Sequence, residues 1–446
     1  MKLYLVSLGC AKNLVDSEVM LARLQGAGYS LVDDPARAEV ILINTCGFIR
    51  PAVEEAIDEI LRLADCKADD PDKVLVVTGC LVQRYGRELQ AELPEVDLFV
   101  GTEGIHHIDR LIRERRQAGE QLFHLPAKRF LMTGRTPRVL ATPPYRAFLK
   151  ITEGCDNRCA YCLIPSIRGG LRSRPIQDLL EEVGRLAAGG VKELSLIAQD
   201  LTAYGNDLRP RVTLEDLLVH LLRDTDIPWI RLLYLYPASV STRLLRLMAE
   251  NSRIVPYLDI PFQHVNDRIL QRMRRRYSGR DLEVLLRRIR EHLPGCAIRT
   301  TLLVGFPGER EEDVEQLCTF LRQWRLDHVG VFQYQDEEGI PARSLADKVE
   351  PEVAAARARR VMEVQAAVST EKLKEYVGKR LPVLVEGVSR ETDLLLEGRS
   401  RFQAPDIDGC VLITAGTASP GDMVEVDITE AHTYDLVGEI VTRPAR

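Results

Sequence analysis

Short apolar runs alternate with amphipathic stretches along residues 1–125 of the chain. Residues 3–8, 40–43 and 74–77 are apolar runs that end in Gly9-Cys10, Asn44-Thr45-Cys46-Gly47 and Thr78-Gly79-Cys80. Residues 17–26 and 52–64 place apolar side chains at helical spacing, so the pattern predicts parallel strands joined by crossover helices. Parallel sheets keep their binding crevice beyond the carboxyl ends of the strands. All three cysteines fall there. One such cysteine alone reads as a small buried hydrophobe; three at the same place in three successive units point to a shared site.

The pattern loosens over residues 126–145, where Pro126, Pro137, Pro143 and Pro144 interrupt a polar stretch that reads as a linker. Residues 146–350 return to alternation. Strands are predicted near 147–151, 193–197, 230–235, 257–260, 298–304 and 329–334, with helices at 176–188, 214–223, 281–292 and 311–324 among them. Such a series predicts an open, barrel-like parallel sheet. Residues 351–376, rich in Ala, Glu, Lys and Arg, read as one connecting helix. In residues 377–446 the strand-like runs 381–385, 393–396, 411–414, 423–428 and 436–441 are punctuated by glycine, which predicts a small antiparallel β-barrel.

At 446 residues the chain is long enough for about three domains. Its 45% hydrophobic and 28% charged composition is that of a globular protein, and no stretch is apolar for long enough to cross a bilayer. The first ten residues lack a small-residue cleavage pattern and read as a strand, so a cytoplasmic location is expected. There ten cysteines suggest metal or redox work more than a disulfide frame. A net charge of −6 argues against a surface coated for generic nucleic-acid binding.

The most specific signal is Cys155-x-x-x-Cys159-x-x-Cys162, in the loop after the first strand of the second region. Three close thiolates can hold three irons of a [4Fe–4S] cluster and leave the fourth open to a small molecule. Zinc fits badly, since a structural zinc takes four protein ligands and no further Cys or His occurs before His220. Polar residues also gather at predicted strand ends: Gln199, Asp200, Tyr204, Gln263, His264 and the turn Gly305–Glu309. Each is placed to line the barrel mouth, although such residues often only cap helices and the glycines serve turns equally well. Cys66, Cys296, Cys318 and Cys410 share no ligand spacing and read as structural, and His106-His107 reads as a surface detail because adjacent residues face different ways.

The spacing of Cys155, Cys159 and Cys162, with Tyr161 before the last cysteine, resembles the signature of the radical S-adenosylmethionine superfamily. That resemblance implies that S-adenosylmethionine chelates the open iron and that Tyr161 lies against its adenine. By their position at predicted strand ends, Gln199, Gln263, Gly305 and Glu309 are expected to bind the cofactor as well. Two cysteine triads followed by a small β-barrel resemble the methylthiotransferase family over essentially the whole chain. The implied fold class is multidomain α/β: an N-terminal parallel α/β domain (1–125), a radical S-adenosylmethionine partial (β/α) barrel and a C-terminal antiparallel β-barrel of the TRAM type. The cofactors implied are two [4Fe–4S] clusters, one on Cys155, Cys159 and Cys162 and an auxiliary one on Cys10, Cys46 and Cys80, together with S-adenosylmethionine.

Residues 7–18 (Ser-Leu-Gly-Cys-Ala-Lys-Asn-Leu-Val-Asp-Ser-Glu), 44–49, 164–169 and 404–409 resemble the branch that modifies an aspartate of the twelfth small-subunit ribosomal protein, free or on the ribosome. The alternative is methylthiolation of isopentenyladenosine in tRNA. Residues 377–446 carry seven Lys or Arg and twelve Asp or Glu, a net charge of −5, which suits a basic protein partner better than phosphate. A basic run of Arg268, Arg272, Arg274, Arg275, Arg276 and Arg280 leaves nucleic acid as a secondary partner. The resemblance further implies an electron donor such as flavodoxin or ferredoxin and no membrane partner.

Overall fold

The computed structural model describes residues 1–68, 70–127 and 129–441. Arg443 and Arg446, which enter the charge balance of the last region, lie outside the described residues, as does Lys128 of the proline-rich segment.

The N-terminal region is a six-stranded, all-parallel sheet. Its central strands Lys2–Ser7, Val40–Thr45 and Val74–Gly79 pair in that order, and Ser30–Leu31, Leu98–Val100 and Leu122–His124 extend the edges. Those edge strands have two or three residues each, too short to stand out as apolar runs. Val40–Thr45 and Val74–Gly79 are buried along their whole length, as parallel strands covered on both faces must be. The first helix spans Ala11–Gly26, six residues earlier than the apolar period indicates, because its first turns bury polar side chains.

The second region is a six-stranded parallel sheet built strictly in chain order: Arg146–Lys150, Glu193–Ile197, Trp229–Leu232, Ile254–Asp259, Ala297–Val304 and His328–Gln333. Each strand adds beside the last, with helices packed outside, which gives a partial (β/α) barrel. The outward face carries the largest apolar cluster, including Leu149, Leu196, Leu232, Leu258 and Ile298. The inward face is mixed: Phe148, Ile197, Leu233 and Tyr257 meet Val15 and Val19 from the N-terminal region and Leu384 and Ala404 from the C-terminal one. All three regions therefore share one cluster inside the barrel.

The helix Pro351–Lys374 leads into a closed five-stranded barrel made of Arg380–Val388, Leu396–Ser400, Val411–Ala415, Met423–Ala431 and Leu436–Ile440. Its pairings are antiparallel except between Val411–Ala415 and Leu436–Ile440, which run parallel. The second strand lies at Leu396–Ser400 and not at 393–396, since Asp393 and Leu394 are exposed in the preceding turn.

The loop after Leu396–Ser400 enters the barrel base. Asp408 accepts a hydrogen bond from the Tyr257 hydroxyl at 2.7 Å and pairs with Arg299 at 3.4 Å. Arg399 reaches Glu193 at 2.5 Å. No helix among the described residues is long and apolar enough to cross a membrane.

Candidate active site

Cys10, Cys46 and Cys80 stand at the carboxyl ends of the three central N-terminal strands. Cys10 is the N-cap of helix Ala11–Gly26 and Cys80 opens helix Cys80–Tyr85, so both sulfurs sit where a helix end favours negative charge. Buried amides lock the loops together: Asn13 donates to Leu8 O at 2.7 Å, and Asn44 donates to Asn13 O at 2.9 Å and Ser17 Oγ at 2.8 Å. The approach is close. A Cβ at Gly9, whose φ is +89°, would lie 2.8 Å from Cys46 Cβ.

The second triad occupies the loop bracketed by the short antiparallel pair Thr152–Glu153 and Arg172–Ser173. The Cys155 amide donates to Gly169 O at 3.1 Å and the Ala160 amide to Met273 O at 2.9 Å, which pins the loop to the barrel mouth. Tyr161 lies beside Cys162 in an apolar patch holding Leu163, Ile167, Phe306 and, from the N-terminal region, Cys80 and Phe48. The two triads therefore border one apolar patch across the domain interface.

Each triad offers sulfurs supplied with N–H donors. Arg168 Nη2 reaches Cys80 Sγ at 3.3 Å, Arg275 Nη1 reaches Cys159 Sγ at 3.4 Å and the Ile164 amide reaches Cys162 Sγ at 3.5 Å. Desolvation opposes ionisation of Cys10, yet Lys12, Arg168 and two backbone amides outweigh it and hold that thiol below its ordinary value. Burial pushes Cys80 up to about 11 and Cys162 up to about 12, and in each case the other two thiols of the triad add to the rise. The thiols of a triad thus feel one another. Three soft ligands that act on one another, with hydrogen bonds to the sulfurs, suit an iron–sulfur cluster.

Sequence reasoning missed the ionic network that joins the triads. Arg168, six residues beyond Cys162, donates to Asp16 at 2.6 Å and to Asn13 Oδ1 at 3.1 Å. Lys150, on the first barrel strand, pairs with Asp16 and with Glu153. Arg138, in the proline-rich segment, bridges Glu18 at 2.6 Å and Glu182 at 2.7 Å. Arg84 joins Glu337 at 2.6 Å. That segment is thereby fastened to both flanking regions, and His106 stacks on its Phe130 with ring centroids 4.1 Å apart.

The remaining sequence candidates divide. Gln199 and Gln263 are partly exposed at strand ends, and neither side chain makes a hydrogen bond among the described residues. Gln263 holds a φ of +69°, kept there by its amide bonding Thr301 O at 2.8 Å and its carbonyl accepting from Leu303 at 2.7 Å. Glu309 is turned inward. Its fully buried carboxylate accepts from the Gly305 amide at 2.9 Å and pairs with Arg357 at 3.0 Å. Gly305, at φ +73°, gives room to the connecting helix, since a Cβ there would sit 2.4 Å from that of Ala354.

Of the basic run, Arg268, Arg272 and Arg275 are bound to Asp313, Pro307 O and Pro261 O respectively, which leaves Arg274, Arg276 and Arg280 exposed. Cys296 and Cys318 are buried in the core, as a structural role requires.

Comparison with known proteins agrees with this layout. Residues 2–101 match the uncharacterized protein family UPF0004, residues 149–321 the radical SAM superfamily and residues 377–441 the TRAM domain. A relative from Desulfotalea psychrophila, named ribosomal protein uS12 methylthiotransferase RimO, is 56% identical over 99% of this chain and 100% of its own length. Relatives of the same name from Myxococcus xanthus and Citrifermentans bemidjiense are 50% and 49% identical over 99% of this chain, and over 92% and 98% of their own lengths.

The chain belongs to this methylthiotransferase family. It is a radical S-adenosylmethionine enzyme that transfers a methylthio group. Among solved structures, the radical S-adenosylmethionine methyltransferase TsrM from Kitasatospora setae, with tryptophan and an S-adenosylmethionine analogue bound, matches with a TM-score of 0.58 at 15% identity, covering 87% of this chain and 79% of that one. It shares the fold.

Proposed function

We propose that this methylthiotransferase acts on the β-carbon of an aspartate in ribosomal protein uS12. The observation that carries the reading is 56% identity, over 99% of this chain and 100% of the other, to a relative named for that substrate. Cys155, Cys159 and Cys162 would hold one [4Fe–4S] cluster, and Cys10, Cys46 and Cys80 the auxiliary one. When bound, the clusters and S-adenosylmethionine supply a hydrogen-abstracting radical and a methylthio group.

The chain's own residues prepare the place. Arg168 and Arg275 each direct an N–H at a ligand sulfur, Cys80 and Cys159. Tyr161, Leu163, Ile167 and Phe306 wall the space with apolar surface that keeps water from a reactive species. Tyr161, Gln199 and Gln263 would meet S-adenosylmethionine, whereas Gly305 and Glu309 shape the turn behind it.

The C-terminal barrel suits a basic protein partner. Asp422, Glu425, Asp427, Glu430 and Glu439 are exposed on it, a charge arrangement that steers a cationic chain and repels phosphate. Such an enzyme would work in the cytoplasm, beside the ribosome and a reduced carrier such as flavodoxin or ferredoxin.

The test is an anaerobic assay of the cluster-reconstituted protein with S-adenosylmethionine and a strong reductant, offered a uS12 loop peptide and isopentenylated tRNA in parallel and read by mass spectrometry. A methylthio group on the peptide's aspartate alone is expected. Modification of the tRNA alone would overturn the substrate.

A further inference from the structure

Among the described residues Lys12, Lys73, Lys150, Arg168, Arg174, Arg231 and Arg399 are buried. Six of them have a carboxylate. Lys73 pairs with Asp70, Lys150 and Arg168 with Asp16, Arg174 with Glu182, and Arg231 and Arg399 with Glu193. Lys12 is the exception among the described residues, making neither an ion pair nor a side-chain hydrogen bond. Its ammonium stands 3.4 Å from the ring centroid of Tyr234. A buried ammonium with no carboxylate partner is costly, and the other buried cations named here each have one.

The place of this cation is specific. Lys12 lies two residues from Cys10 and acts on its thiol electrostatically. Tyr234 follows the barrel strand Trp229–Leu232 at the barrel mouth. Tyr234 holds a φ of +68°, fixed by its amide donating to Asp259 at 3.2 Å and its carbonyl accepting from Leu201 at 2.9 Å. A non-glycine residue keeps such a backbone only where its surroundings over-determine it, and such residues gather at functional sites. The ammonium is thus parked on an aromatic face between the auxiliary triad and the barrel mouth.

We propose that Lys12 receives the side-chain carboxylate of the substrate aspartate. The missing carboxylate is then brought by the substrate itself. The β-carbon is bonded directly to that carboxylate carbon, so pairing at Lys12 sets the reacting carbon beside the Cys10 triad. It also selects aspartate over its neutral amide, which leaves the ammonium unpaired. This inference rests on the uS12 reading above and deepens it.

The test uses the cluster-reconstituted protein in three forms: wild type, Lys12→Met and Lys12→Arg. Binding of the uS12 loop peptide is measured with Asp and with Asn at the target position, alongside S-adenosylmethionine binding and iron content. Wild type is expected to bind the Asp peptide roughly tenfold or more tighter than the Asn peptide. Lys12→Met erases that preference by weakening the Asp peptide alone, Lys12→Arg keeps most of it, and S-adenosylmethionine affinity stays the same in all three.

A preference that survives in Lys12→Met, with or without its iron, overturns the proposal. So does a fall in S-adenosylmethionine affinity with peptide preference intact, which would assign the cation to the cofactor's own carboxylate. Wild type that leaves the Asp peptide unmodified sinks the uS12 reading and this one with it. Wild type that modifies the peptide while Lys12→Met still discriminates sinks only the role of Lys12.

Discussion

Arg168 shows how one side chain can serve two domains. Its helix, Ile164–Arg168, begins two residues after Cys162, yet its guanidinium ends in the N-terminal region against Cys80 Sγ, Asp16 and Asn13. It is 3% exposed, so its charge is poorly screened. A fixed positive charge and an N–H bond to a ligand sulfur both favour the reduced, more negative state of a cluster. Replacing Arg168 with Gln is therefore expected to lower the reduction potential of the auxiliary cluster while leaving that of the other cluster in place. An anaerobic redox titration followed by electron paramagnetic resonance measures both. Unchanged potentials would show that Arg168 only fastens the interface.

Among the elements, those with simple periods were legible in the sequence and those with buried polar faces were not. Val40–Thr45 and Val74–Gly79 announce themselves as apolar runs, because burial on both faces removes polar positions from them. Helix Ala11–Gly26 does not. Its early residues Lys12, Asn13, Asp16, Ser17 and Glu18 are all buried, which a hydropathy period reads as a solvated stretch. Of these, Asp16 and Glu18 are satisfied by partners more than a hundred residues away, Lys150, Arg168 and Arg138, a pairing that local pattern cannot reveal.

The triads were legible for a different reason. Cysteine is rare, and its position at strand ends follows from topology alone. Glu309 and Gly305 show the limit, since a turn at a strand end has the same residues whether it faces a ligand or, as here, a connecting helix.

At the scale of the whole molecule, the C-terminal barrel is welded to the radical S-adenosylmethionine barrel. Glu193 receives Arg231 at 2.6 Å and Arg399 at 2.5 Å, the first from its own barrel and the second from the C-terminal one. Burial raises the Glu193 carboxyl, but the two arginines outweigh it and bring its pKa from 4.5 down to about 2. A depressed carboxyl stabilises the folded state above its unfolded pKa and loses that contribution as the pH falls through its folded one. The contribution, on the order of 3 kcal/mol, should be complete above about pH 4.5 and fade toward pH 2. Urea denaturation of wild type and Glu193→Gln across that range should show a stability gap that closes on acidification; a gap independent of pH would contradict the assignment.

The same docking extends to the N-terminal region through Asp16, Glu18 and Glu337, so the two triads border one apolar patch. One cluster on each triad is the arrangement proposed for the enzyme, and iron analysis tests it. Reconstituted wild type should hold about eight irons per chain, and replacing either triad with alanine should leave about four, with Mössbauer spectra of a four-iron cluster in each case. Wild type with only about four irons, or a triad variant that retains the full wild-type content, would contradict it.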